Sequence, residues 1–195
     1  MFNDLSSPLS FLQTRRSGKP REMIAPGPSD AELRDICAIA TRTPDHGKLA
    51  PWRFVTISQD QREAFAKILQ DAFRVDRGRP EGDDIAAIEQ FAHQASALVV
   101  ALHSPAESAK IPLWEQELST GAACFNLLCA AHAHGYVGGW ITGWAAYSDA
   151  VRDQFGAAPE RIAGFIFLGS PGAELSERPR PEADDVISTW EPPTI

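Results

Sequence analysis

Polar and apolar positions along the chain follow two periods, and the changes between them mark out the elements. Ser7 before Pro8, with Leu9, Phe11 and Leu12 on one side, predicts a short opening helix that ends near Arg15-Arg16. A Pro- and Gly-rich loop follows to Pro28. Ser29 and Glu32 form the S-x-x-E pattern of a capping box. Leu33, Ile36, Cys37 and Ala40 then recur at helical spacing, with Pro44 as the stop. A strand is predicted from Arg53 to Ile57. Ser58 and Gln61 cap a third helix with Phe65, Ile68, Leu69, Ala72 and Phe73 on its apolar face. The charged stretch from Arg77 to Asp84 reads as an exposed loop, and a fourth helix follows from about Asp84 to Ser96.

The unbroken apolar run Ala97 to Leu102 predicts a buried central strand. Pro112 opens a long helix to about His134, on which Leu118, Ala122, Phe125 and Cys129 line one face while Gly121 and Ala123 keep others thin. So small a surface implies close packing by another backbone, from this chain or a second one. Tyr136 to Thr142 reads as a Gly-rich strand, Ser148 and Asp149 open a short helix closed by Gly156, and Ile162 to Leu168 is a further buried strand. The segment from Ser170 to Ile195 is Pro-rich and charged, yet carries Val186, Ile187 and Trp190. It is expected to dock on something rather than pack alone. Helices come first and then mix with strands without regular βαβ alternation, which predicts an α+β fold.

Composition narrows the function. The 195 residues suit one domain, and a 44% hydrophobic content supplies a core without disulfide or metal staples. A net charge of −8 argues against nucleic acid or an anionic membrane as partner. Apolar runs fall short of a spanning helix, and the first residues do not read as a signal peptide. Cys37, Cys124 and Cys129 form no C-x-x-C and lie in apolar helical contexts, as expected of reduced thiols in a cytoplasmic protein. Gly135 to Gly139 follows a helix and enters a strand, the reverse of a dinucleotide fingerprint. His132 and His134 diverge on a helix end, and no G-x-S-x-G is present, so Rossmann, metal and hydrolase readings are set aside.

Against the acidic background, Arg15, Arg16, Ser17 and Lys19 stand out. Such a cluster either complements a helix C-terminus or clamps a phosphate, which arginine grips bidentately while serine adds a hydrogen bond. A second group, Arg42, Asp45, His46 and Lys48, lies in a loop stiffened by Pro44 and Pro51 and closed by Trp52. A third, Gly138 to Trp144, has glycines that let backbone approach a flat ring and tryptophans that wall a site or fill a core. Together they suit a ligand with a phosphate and a planar heterocycle.

These pieces, in this order, resemble the nitroreductase family of FMN-dependent NAD(P)H oxidoreductases. The resemblance runs from about Ser10 to Pro171. It rests on Arg15-Arg16-Ser17, the loop Arg42 to Phe54 with Pro44-Asp45-His46 before Pro51-Trp52, Trp114 to Glu117, Gly139 to Gly143, and Gly164 to Pro171. It implies a central, mainly antiparallel sheet flanked by helices in a single domain over 1–195, with an arm from about 172 that embraces a second subunit. By the same resemblance, Arg15, Arg16 and Ser17 hold the FMN phosphate and ribityl chain, and Trp140, Ile141 and Thr142 complete the site. Arg42 and His46 reach the flavin bound mainly by the other subunit of a homodimer, and Ala130 to Gly135 borders the nicotinamide donor. The implied activity is two-stage hydride transfer from NAD(P)H to a small nitroaromatic- or quinone-like acceptor. The alternatives are a flavin-binding protein without NAD(P)H turnover and, behind it, a non-flavin interaction module. The family's loop often carries Asn and Gln where this chain has Lys48 and Ala50, so those side-chain contacts do not carry over.

Overall fold

The computed structural model describes residues 1–193; Thr194 and Ile195, the end of the expected arm, lie outside the described residues. Local signals set the helix starts. The Ser7 hydroxyl accepts from the Ser10 amide to cap α1 (Pro8–Thr14), and Pro8 sits where no amide is needed. A two-residue strand, β1 (Met23–Ile24), precedes α2 (Asp30–Ala40), whose Ser29–Glu32 box closes in both directions. After β2 (Trp52–Ile57), the Ser58–Gln61 box leads through a 3-10 turn into α3 (Arg62–Arg77). Then come α4 (Gly82–His93), β3 (Ala97–His103), α5 (Leu113–Ala133) and β4 (Val137–Ile141). The short α6 (Trp144–Tyr147) and α7 (Asp149–Arg152), the long β5 (Arg161–Pro171) and a last turn, α8 (Ala183–Val186), complete the order.

The strands form one sheet in which every pairing is antiparallel. β3 lies between β2 and β5, and β5 also pairs with β4 through Phe165 to Gly169 and with β1 through Ser170 and Pro171. Both faces are covered, which is why β3 is apolar without alternation. Leu98, Val100, Leu102, Phe165 and Phe167 meet Phe65, Leu69 and Ile88 of α3 and α4 on one side. Val99, Ala101, Ile166 and Leu168 meet Leu33, Ile36, Cys124 and Leu127 of α2 and α5 on the other. The layered α+β architecture is the one expected.

Three details depart from the sequence reading. β1 was not foreseen, because two residues acquire strand geometry only through the end of β5. α6 was absorbed into a loop. On α5, Leu118 and Phe125 are exposed, and the buried positions are mostly small or polar: Ser119, Thr120, Ala123, Cys124, Ala130 and Ala131, joined by Leu127 and Leu128. Small residues let the helix lie close to the sheet, so the large apolar stripe faces outward. Trp114 joins that stripe at 65% exposure, while Leu9 and Leu12 on α1 and Val186, Ile187 and Trp190 in the arm are also exposed.

Candidate functional site

Arg15 ends α1, and the chain turns extended there (φ −57°, ψ 126°) to run towards β4, where the Gly18 amide donates to the Gly138 carbonyl at 3.1 Å. Glycine is required at 139 by this approach, because a Cβ there would lie 2.8 Å from the Gly18 carbonyl oxygen and 3.0 Å from Pro20. The result is a cleft of about 400 Å³ with Arg15, Arg16 and Ser17 on one side and Trp140 and Ile141 on the other. Lys19, Arg178 and Arg180 also line it. The arm is tethered at the rim by Arg16 Nε, which donates to the Ser176 carbonyl at 2.8 Å.

Arg15 is not spent on the α1 carbonyls, as the helix-end reading would have it. Its Nη1 donates to Ser17 Oγ at 3.3 Å, and its guanidinium carbon sits 5.5 Å from the centre of the Phe125 ring. A cleft with so many guanidinium and ammonium donors on a protein of net charge −8 is chemically matched to a phosphate, and the adjoining Trp140–Ile141 backbone to a flat ring system. The fit to FMN is therefore good on the donor set alone.

Trp140 is held in place from behind. Its Nε1 donates to the Ala163 carbonyl at 3.0 Å, and its indole lies over Gly164, where a Cβ would come within 2.1 Å of Nε1. Gly164→Ala is expected to lower stability by about 2 kcal/mol through this clash. Urea unfolding followed by Trp fluorescence measures it, with Ala163→Ser as a neighbouring control.

Of the predicted site residues, Arg15, Arg16, Ser17, Trp140 and Ile141 come together. Thr142 does not. It is exposed beyond the end of β4 and borders a separate recess of about 280 Å³ whose other walls include Phe73, Phe91 and Trp144. Arg77 folds over that recess, 5.7 Å from the Phe73 ring and 5.6 Å from Trp144.

Arg42 and His46 also lie away from the cleft of their own chain. They are exposed on the loop between α2 and β2, which is fastened to α5. Ser119 Oγ donates to the Pro44 carbonyl at 2.6 Å, Asn126 Nδ2 to the Arg42 carbonyl at 3.2 Å, and His46 Nδ1 pairs with Glu115 Oε2 at 2.7 Å. Inside the loop, the Asp45 carboxylate accepts from the Leu49 and Ala50 amides at 3.2 and 2.8 Å. It thereby supports left-handed backbone at Lys48 (φ 58°) and Ala50 (φ 48°), where neither residue is glycine. Asp45→Ala is expected to cost about 1 kcal/mol and to raise amide exchange at Leu49 and Ala50 selectively.

The segment Ala130 to Gly135 does not line the cleft. Ala130, Ala131 and His132 are buried, and His134 Nε2 lies 3.1 Å from Asp35. Burial pushes the Cys37 and Cys124 thiols up to about 11 and about 12, which keeps both protonated and unreactive. Sequence reasoning missed Arg178 and Arg180 because only the folded arm brings them to the cleft.

An α+β sheet with a cationic cleft beside its Gly-rich strand β4 is chemically suited to a phosphate-bearing ligand, and comparison with known proteins gives the family. The family model described as "Nitroreductase family" matches residues 13–170, and the chain belongs to that family. The Escherichia coli (strain K12) protein named "Putative NAD(P)H nitroreductase YdjA" is 32% identical over 172 residues, covering 86% of this chain and 90% of that one. Among solved structures, a nitroreductase-like family protein from Bacillus cereus superposes with a TM-score of 0.78 at 19% identity, covering 98% of this chain and 100% of the other. The FMN- and NADPH-dependent nitroreductase NfnB from sphigopyxis sp. strain HMH gives a TM-score of 0.70 at 20% identity, over 92% and 96%.

Proposed function

We propose that this protein is an FMN-dependent oxidoreductase that uses NAD(P)H to reduce a small organic acceptor, nitroaromatic or quinone-like, as a homodimer with FMN at the subunit interface. The observation that carries the reading is the cleft that joins Arg15, Arg16 and Ser17 to the Trp140–Ile141 strand in a protein of the nitroreductase family. FMN, when bound, supplies the hydride chemistry; the protein supplies position, polarity and exclusion of water. Arg15, Arg16 and Ser17 hold the phosphate, and Arg178 and Arg180 close over it from the arm. Trp140 and Ile141 border the ring.

The dimer is supported by the outward stripe Trp114, Leu118 and Phe125 on α5 and by the exposed apolar residues of α1 and the arm. In that assembly Arg42 and His46, remote from their own cleft, serve the cleft of the other subunit, and the arm, held at its own cleft as far as Arg180, continues onto the other subunit beyond it. The relative from E. coli and the sphigopyxis protein carry NAD(P)H or NADPH in their names, which supports the same donor here.

The test is made on the purified protein. It should be yellow or become so with FMN, run at twice its monomer mass, and oxidise NADH or NADPH steadily with a quinone acceptor. A colourless protein that gains no flavin absorbance when mixed with FMN would sink the reading. Tight FMN binding without NAD(P)H oxidation would leave only a flavin-binding protein.

A further inference from the structure

The recess bordered by Thr142 lies outside the cofactor cleft and is joined to it by the chain. Trp140 and Ile141 border the cleft, and Thr142 to Ala145 border the recess, between α3, α4 and α6. Its walls are apolar: Leu69 and Phe73 from α3, Ile88 and Phe91 from α4, and Trp144, whose indole meets Phe73 edge-on at 5.3 Å. Ala87, Thr142 and Gly143 are exposed, so the recess opens to solvent beside them. At Gly143 a Cβ would meet nothing within 4 Å. The volume is about 280 Å³, and a cavity of about 150 Å³ already holds benzene, so a one-ring body fits.

The polar feature of the mouth is Arg77, whose guanidinium lies over the rings of Phe73 and Trp144. Its neighbours on α3 are paired, Lys67 with Asp71 at 3.5 Å and Arg74 with the same carboxylate. Arg77 has no carboxylate within ion-pair distance among the described residues. A guanidinium stacked on rings keeps its N–H edge free, and that edge matches a carboxylate through two parallel hydrogen bonds. The Thr142 hydroxyl is a further donor at the same recess. Asp84, an acidic wall residue, is engaged elsewhere. Its Oδ2 accepts from the Glu81 amide at 3.0 Å in the cap of α4, where the helix N-terminus offsets its charge. An apolar recess with an unspent cation at its mouth is matched to an apolar body that carries one negative charge.

We propose that this recess is a second ligand site, separate from the flavin cleft, and that it takes compact aromatic carboxylates, with the ring among Phe73, Phe91 and Trp144 and the carboxylate on Arg77. The site goes beyond the flavin-reductase reading and does not depend on it.

The experiment is a binding titration on the protein as purified, with FMN bound and the tryptophan indoles labelled with 15N. The Trp144 signal is the one lost in Trp144→Phe. The probes are benzoate, benzyl alcohol, which has the ring without the charge, and acetate, which has the charge without the ring. Benzoate is expected to shift the Trp144 signal saturably and to bind about tenfold more tightly than benzyl alcohol, the worth of one charge-assisted hydrogen bond. Acetate should leave Trp144 in place. Arg77→Gln, at the exposed end of α3, should make benzoate and benzyl alcohol bind alike, and Arg77→Lys should recover part of the difference. Ala87→Phe, which fills the recess from the exposed side of α4, should abolish binding of both. Urea unfolding of each variant establishes that it is folded. Equal binding of benzoate and benzyl alcohol to the parent protein, or an unmoved Trp144, would overturn the proposal. So would a benzoate-induced change in flavin absorbance with Trp144 still, which would place the ligand on the flavin instead. A protein that takes up no FMN counts against the reductase reading alone, because the same titration on the flavin-free chain still decides this site.

Discussion

Arg15→Ala is expected to weaken FMN binding roughly 10- to 100-fold, the loss of about 1.5–3 kcal/mol that accompanies removal of a charge-assisted hydrogen bond. The effect should be specific to the cofactor. The Arg15 side chain binds Ser17 Oγ and stacks on Phe125, a residue that is itself 42% exposed, so the fold loses little with it. Flavin titration by fluorescence quenching gives the affinity, and urea unfolding of the flavin-free protein gives the stability. If Arg15 served only to complement the end of α1, the titration would barely change and the stability would fall instead. Arg15→Lys should recover part of the affinity, since the charge remains while the bidentate fork is lost.

The second large effect is acid sensitivity centred on His132. This imidazole is 2% exposed, packs 5.8 Å from the Phe11 ring, and pairs through Nδ1 with the Tyr136 carbonyl at 3.0 Å. Burial, helped by the nearby Arg15 charge and opposed by the bond to Tyr136, pushes its pKa from 6.5 down to about 4. The unfolded chain therefore takes up this proton near pH 6.5 and the folded chain only near pH 4. Stability should be full above pH 6.5 and fall as pH drops towards 4, by about 3 kcal/mol in all from this group. His103, lowered by burial as well, acts in the same direction. His132→Gln should flatten the profile in that window. The difference between parent and variant separates His132 from the carboxylates Glu32 and Glu160, whose lowered pKa values act at more acid pH. Parallel profiles for the two proteins would contradict the assignment.

Much of the fold was legible because its determinants are local. The boxes at Ser29–Glu32 and Ser58–Gln61 are written within four residues and form as expected. The run at Ala97 to Leu102 reads as a buried central strand and forms one, covered on both faces. What escaped depends on partners distant in sequence. β1 exists by pairing with Ser170 and Pro171, and Arg178 and Arg180 reach the cleft because the arm is tied at Ser176 to Arg16.

The stripe on α5 was read from the spacing of its large residues, and the spacing was real. Its direction was not legible, because helical periodicity does not say which face meets the sheet; the small residues do. Thr142 was grouped with Trp140 and Ile141 as neighbours in sequence, yet the chain leaves β4 there and carries it to the other recess. Arg42 and His46 were expected to act across subunits, and their distance from their own cleft is what that proposal requires.

The central claim is that two copies of the chain build each flavin site, with Arg15 from one and Arg42 with His46 from the other. Mixing variants tests it most directly. Arg15→Glu protein and Arg42→Glu/His46→Glu protein are each expected to bind FMN poorly. Unfolded together and refolded, they should regain tight flavin sites, because one of the two sites in every mixed dimer contains only parental residues. If mixing restores no tight binding, or if the Arg42→Glu/His46→Glu protein alone binds FMN as the parent does, the shared site is contradicted.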